Sequence, residues 1–148
     1  MRLRALFALI LPLAFAACGE SSTEPAAVPI ESTTFATSLG VNLAASTRTP
    51  SGLYYRDIRV GTGATIVSGQ ALNVKYSGAL ANGTVFDAGT YAFTIPGNVI
   101  QGWNEGLLGM KVGGARQLII PPSLGYGSRG AGGVIPPNAV LVFTVEPI

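Results

Sequence analysis

The residue types in this chain do not assemble a nucleophile and its base. Histidine is absent from the 148 residues and Cys18 is the only cysteine. Ser–His and Cys–His pairs, histidine-built metal sites and an internal disulfide are therefore excluded. Gly61-Thr62-Gly63-Ala64 has the glycines of a phosphate loop but lacks the lysine–serine pair and following helix that such a loop needs. What keeps chemical capacity is a set of aromatic residues with one carboxylate among them: Tyr76, Phe86-Asp87, Tyr91, Trp103, Tyr126 and Phe143. On pattern alone, Tyr76, Trp103 and Phe143 read as core, because each falls on an apolar face. Phe86-Asp87 reads as a strand end entering an Asx turn, and Tyr126 as a loop anchor.

The elements that must position these residues are mostly short strands. Leu53–Val60, Ala71–Tyr76, Thr84–Asp87, Tyr91–Ile95, Ala115–Ile120 and Ala139–Glu146 carry strand-like runs. Asn82-Gly83 signals a hairpin, Gly89–Tyr91 a loop and Ser123–Asn138 a long glycine-rich loop of the kind that often carries function. One stretch, Asn98–Met110, has helical spacing: Val99, Ile100, Trp103, Leu107 and Met110 recur at threes and fours, with Gly113-Gly114 ending the pattern. A single amphipathic helix among strands predicts an α+β domain with the helix packed across a sheet. Thr49-Pro50-Ser51-Gly52 is a turn cluster and the expected domain boundary.

Val99-Ile100-x-Gly102-Trp103, followed by Glu105-Gly106 and Met110-x-Val112-Gly113, resembles the core of the FKBP-type peptidyl-prolyl cis-trans isomerases. Val74-x-Tyr76-x-Gly78, Val85-Phe86-Asp87, Leu124-Gly125-Tyr126-Gly127, Ile135-Pro136-Pro137-Asn138 and Leu141-Val142-Phe143-x-Val145 follow the same family in the same order, so the resemblance spans residues 51–148. It implies an antiparallel, twisted sheet of five to six strands wrapped around one short helix, and rotation of X-Pro bonds without cofactor or metal. It also implies a pocket with Trp103 as floor, Tyr76, Phe86 and Phe143 as walls, and Tyr91 and Val99 beside them. The Ile100 N–H and the Tyr126 hydroxyl would hold substrate carbonyls, while Asp87 would orient Tyr76. Tyr76, Phe86, Asp87 and Tyr126 are then the expected catalytic residues. Partners would be proline-containing polypeptides and the macrolide ligands of the family. Tyr91 stands where many relatives have phenylalanine. Ala131 stands where histidine is frequent, and the loss of that loop contact implies altered substrate preference rather than lost activity. The rival reading is a non-catalytic peptide-binding module of the same fold.

Met1–Ala17 has the parts of a signal peptide: basic Arg2 and Arg4, an apolar run from Ala5 to Phe15 broken only by Pro12, then small residues. Phe15-Ala16-Ala17-Cys18 resembles a bacterial lipoprotein box, although Ala14-Phe15-Ala16 also suits ordinary signal cleavage. Lipidation of Cys18 would remove a lone thiol from an oxidising compartment. Gly19 after it resembles lipoproteins bound for the outer membrane, so the expected location is the periplasmic face of the envelope. Residues 18–50 read as a flexible tether or N-terminal extension, with tether composition over Gly19–Ile30 and Phe35, Leu39 and Leu43 spaced for a short amphipathic helix or docking segment. Once Arg2 and Arg4 are set aside, the nine basic residues fall to seven against seven acidic ones. Charge-driven nucleic-acid binding is thereby disfavoured.

Overall fold

The computed structural model describes residues 26–148. The expected signal peptide, Cys18 and the start of the expected tether lie outside the described residues. Six strands form one antiparallel sheet: β1 (Thr47–Arg48), β2 (Tyr54–Arg59), β3 (Ala71–Leu80), β4 (Val85–Thr94), β5 (Ala115–Ile120) and β6 (Leu141–Pro147). Their spatial order is β1-β2-β5-β6-β3-β4. The helix α1 (Gln101–Gly106) packs across one face. This is the expected α+β architecture.

That inner face holds the main core. Leu72 and Val74 on β3, Leu118 and Ile120 on β5, and Leu141, Phe143 and Val145 on β6 alternate inward and meet Trp103, Leu107 and Met110. The helix is shorter than the Asn98–Met110 pattern predicted. Leu107 and Met110 are buried as the stripe required, but they sit in the turn that leaves α1, where Met110 N–H bonds Leu107 C=O at 3.2 Å. Buried spacing of three and four does not distinguish a continuing helix from a tight turn over the same core. Gly102 and Gly106 let α1 lie close to the sheet. A Cβ on Gly102 would fall 2.7 Å from Ile120, and one on Gly106 2.6 Å from Leu118.

Two other expectations are corrected. The loop predicted at Gly89–Tyr91 is absent: Val85–Thr94 is one continuous strand, because Ala88, Gly89 and Thr90 pair with Ser77, Tyr76 and Lys75 despite their loop-like composition. The N-terminal extension is ordered from Ile30 onward. Residues Ile30–Ala45 make three short 310 turns and lie over the outer face of the sheet. There Ile30, Phe35, Leu39, Val41 and Leu43 cover Tyr54, Ile119, Val140 and Val142. The apolar spacing therefore marked docking rather than a regular helix. Thr49–Gly52 is a hairpin turn between β1 and β2, closed by Gly52 N–H to Thr49 C=O at 3.0 Å, and not a break between tether and domain. Cover on both faces explains why all six residues of β5 are buried.

Candidate active site

The pocket opens between α1, the β3–β4 hairpin and the loop after β5. Trp103 sits on the first turn and a half of α1 with its ring against Tyr76 (centroids 5.1 Å apart) and Phe143 (5.4 Å), both edge to face. Phe86 meets Phe143 in the same manner at 5.5 Å. Tyr91 stacks on Phe93 at 5.9 Å, and Phe93 in turn lies 6.0 Å from Trp103. The rings thus hold one another, and an apolar floor with three walls results.

Phe86 and Asp87 are consecutive, yet both border this space. A regular strand would point them to opposite faces. The pairing shows how the chain does otherwise: Gly78 faces Asp87 and Ala79 faces Val85, so Phe86 is an extra residue in β4, a β-bulge that turns its ring inward. Gly78 leaves the room, since a Cβ there would fall 2.5 Å from the Phe143 ring and 2.8 Å from that of Phe86.

Polar groups are few and placed at the edge. The Tyr76 hydroxyl donates to Asp87 Oδ2 at 2.8 Å. That hydrogen bond, helped by partial burial, raises the Tyr76 phenol above the ordinary tyrosine range, so it stays a donor at neutral pH. Ile100 C=O accepts from Trp103 and Asn104 N–H at the start of α1, while the Ile100 N–H makes no hydrogen bond among the described residues. Tyr126 is 40% exposed at the mouth.

All nine residues expected at the site, Tyr76, Phe86, Asp87, Tyr91, Val99, Ile100, Trp103, Tyr126 and Phe143, border one cavity of about 210 Å3. Asn98 joins them, a residue that opens the Asn98–Met110 stretch and was not among the expected site residues. Two more contributors were missed. Phe93 backs Tyr91 and Trp103. Asn104, buried on α1, accepts from Gly97 N–H at 2.8 Å and donates to Gly97 C=O at 3.1 Å, so the helix grips the turn that presents Asn98, Val99 and Ile100. Asn104 stands next to the tryptophan, four residues after Ile100 and three before Leu107, and that polar residue on the apolar stripe was the signal available.

A family-wide sequence pattern described as FKBP-type peptidyl-prolyl cis-trans isomerase matches residues 63–148. The chain belongs to this family. A curated relative, the FK506-binding protein of Neisseria meningitidis serogroup B (strain ATCC BAA-335 / MC58), is 50% identical over 101 residues, which are 64% of this chain and 93% of the relative. Among solved structures, the crystal structure of AtFKBP13 is similar with a TM-score of 0.65 and 42% identity, over 70% of this chain and 96% of that one. The crystal structure of FkpA from Escherichia coli also gives 0.65, at 38% identity; 70% of this chain corresponds to half of that one.

For an FKBP domain the pocket's composition has a direct chemical meaning. Amide resonance sets the barrier to X-Pro rotation at roughly 18–20 kcal/mol and gives the planar carbonyl its negative charge. Twisting the bond removes that charge. A dry aromatic cavity withholds the water that stabilises the planar form, and donors at the rim hold the chain on either side. Each ~1.4 kcal/mol of preference for the twisted amide is a factor of about ten in rate.

Proposed function

We propose that this FKBP domain accelerates X-Pro rotation in exported or envelope proteins while tethered by a lipid on Cys18 to the periplasmic face of the outer membrane. The observation that carries the catalytic part is the ring cluster over Trp103, with the Tyr76–Asp87 hydrogen bond and, unbonded among the described residues, the Ile100 N–H at its edge. Trp103 seats the proline ring, Phe86 and Phe143 exclude water, and Ile100 N–H and the Tyr126 hydroxyl take the flanking carbonyls. Proline-containing chains are the substrates, and macrolides of the FK506 type fit the same cavity. The envelope location rests on the Arg2/Arg4 start, the apolar run and the Phe15–Cys18 box.

Protease-coupled isomerisation of X-Pro peptides tests the catalytic part. The parent is expected to accelerate exchange, with kcat/KM lower by about tenfold in Phe86→Ala and Asp87→Ala and by less in Tyr126→Phe, the fold being intact. A folded parent without acceleration across several X residues would favour the binding-module reading. In cells, labelled fatty acid is expected to mark the parent and not Cys18→Ser; equal labelling of both would refute the anchor.

A further inference from the structure

The Ile30–Ala45 segment lies outside the residues matched to the family, yet it is fastened to the sheet at several points. Its first anchor is Glu31, which accepts from the Tyr54 hydroxyl at 2.6 Å and pairs with Arg48 at 3.3 Å. In its middle, Leu39 C=O accepts from Gln117 Nε2 at 2.7 Å and Gly40 C=O from Arg56 Nη2 at 2.8 Å. Beyond covering apolar surface, the segment makes one contact of another kind. Ala36 N–H bonds Ala81 C=O at 2.8 Å, on the turn that joins β3 to β4.

That turn is tightly held. Gly83 has φ 90°, and a Cβ on it would sit 3.1 Å from both Ala36 Cβ and Ser38 Oγ. Ser38 and Leu39 also line a second cavity together with Gly83 and Val85. Val85 is the residue immediately before the Phe86 bulge. The segment therefore grips the hairpin from behind the sheet, within three residues of the ring that walls the pocket in front. A bulge is the least constrained part of a ladder, since its extra residue has no partner across the strand pair. Something other than strand pairing must fix it.

We infer that Ile30–Ala45 is a positioning strap: through Ala36 N–H and Ser38 it holds the 81–83 turn and so fixes the Phe86 bulge that completes the pocket. The inference builds on the isomerase reading. Ala36, Ser38 and Leu39 act through Phe86 and touch no substrate.

The test is Ala36→Pro in the full chain. Ala36 has φ −61° and ψ 138°, which proline adopts, so this substitution removes the N–H and sets the ring Cδ where the hydrogen bond to Ala81 C=O lay, forcing segment and turn apart. Ala36→Ser keeps the N–H and is the conservative control, and Leu39→Ala loosens the strap at its apolar anchor. Aromatic NMR of Phe86, amide exchange at Leu80 and Thr84, and kcat/KM on X-Pro peptides are read together. Ala36→Pro is expected to shift or broaden the Phe86 resonances and to speed exchange at the hairpin. It should also lower kcat/KM about fivefold, with Leu39→Ala intermediate and Ala36→Ser like the parent. Unchanged Phe86 resonances and unchanged hairpin exchange in Ala36→Pro overturn the strap, whatever the turnover. Perturbed Phe86 resonances in a chain whose parent does not turn over would sink the isomerase reading instead and leave the positioning role established.

Discussion

At the scale of single residues, the pocket depends on one carboxylate and one phenol that hold each other. Tyr76 donates to Asp87 at 2.8 Å, and this bond is the first cause of its raised pKa, ahead of burial. A folded-state pKa above the unfolded value means that the protonated phenol stabilises the fold. That contribution is complete below the ordinary tyrosine pKa of about 10 and is lost as pH rises through the higher folded value. The pocket is therefore expected to be indifferent to pH from neutrality to the edge of the tyrosine range and to loosen only beyond it. Ultraviolet phenolate titration checks this. Tyr54, raised by its hydrogen bond to Glu31, and Tyr76 should titrate late, and in Tyr76→Phe only the Tyr54 delay should remain. Tyr76→Phe should also lower kcat/KM by about three- to tenfold, since Asp87 loses its donor. The identities at this scale were legible because the aromatic residues recur in a known order. Their joint orientation was not. No spacing rule announces that Phe86 is a bulge, for the two-residue period assigns it to the far face.

At the scale of elements, the short helix matters through what fixes its exit. Arg116 on β5, 6% exposed, forks onto Asp57 of β2 with Nε–Oδ1 at 2.6 Å and Nη2–Oδ2 at 3.0 Å. Its Nη1 donates to Gly106 C=O, the last residue of α1, at 2.8 Å, and its guanidinium lies over the Tyr55 ring at 4.6 Å. One side chain thus joins two strands, caps a helix and stacks on an aromatic ring. Asp57→Asn should cost about 1–2 kcal/mol, less than a fully buried pair because the Asp57 carboxylate is partly exposed. Arg116→Ala should cost more, because it also frees the end of α1 and leaves a void beneath Tyr55. Chemical denaturation of the two variants measures the difference, and an equal loss in both would show that the cap on α1 contributes nothing. Strand identities at this scale were legible from alternation, and the errors have a common source. Composition pointed to a loop at Gly89–Tyr91 and to a continuing helix at Leu107–Met110, whereas pairing with β3 and closure over the core decided both.

At the scale of the whole molecule, the sheet is a wall with a different tenant on each side. The inner face carries the helix and the pocket, and the outer face carries the strap. A domain cut at the Thr49–Gly52 turn, where the sequence suggests a boundary, would keep every pocket residue and lose the outer cover. Ile119 and Val142, 0% and 3% exposed in the intact chain, would then meet water together with Tyr54, and Gln117 would lose its partner on Leu39. Uncovering a buried aliphatic side chain costs roughly 1.5–3 kcal/mol, while releasing the strap returns conformational entropy. Because these terms oppose each other, the net loss should be on the order of 3 kcal/mol, less than the buried area alone implies. The truncated domain is expected to melt earlier than a chain starting at Ala26, to bind a hydrophobic dye, and to tend to associate through the uncovered face. Equal melting temperatures for the two would mean that the strap contributes no net stability. Any effect of Ala36→Pro on the pocket would then be one of position alone, which separates what the strap does for the fold from what it does for Phe86.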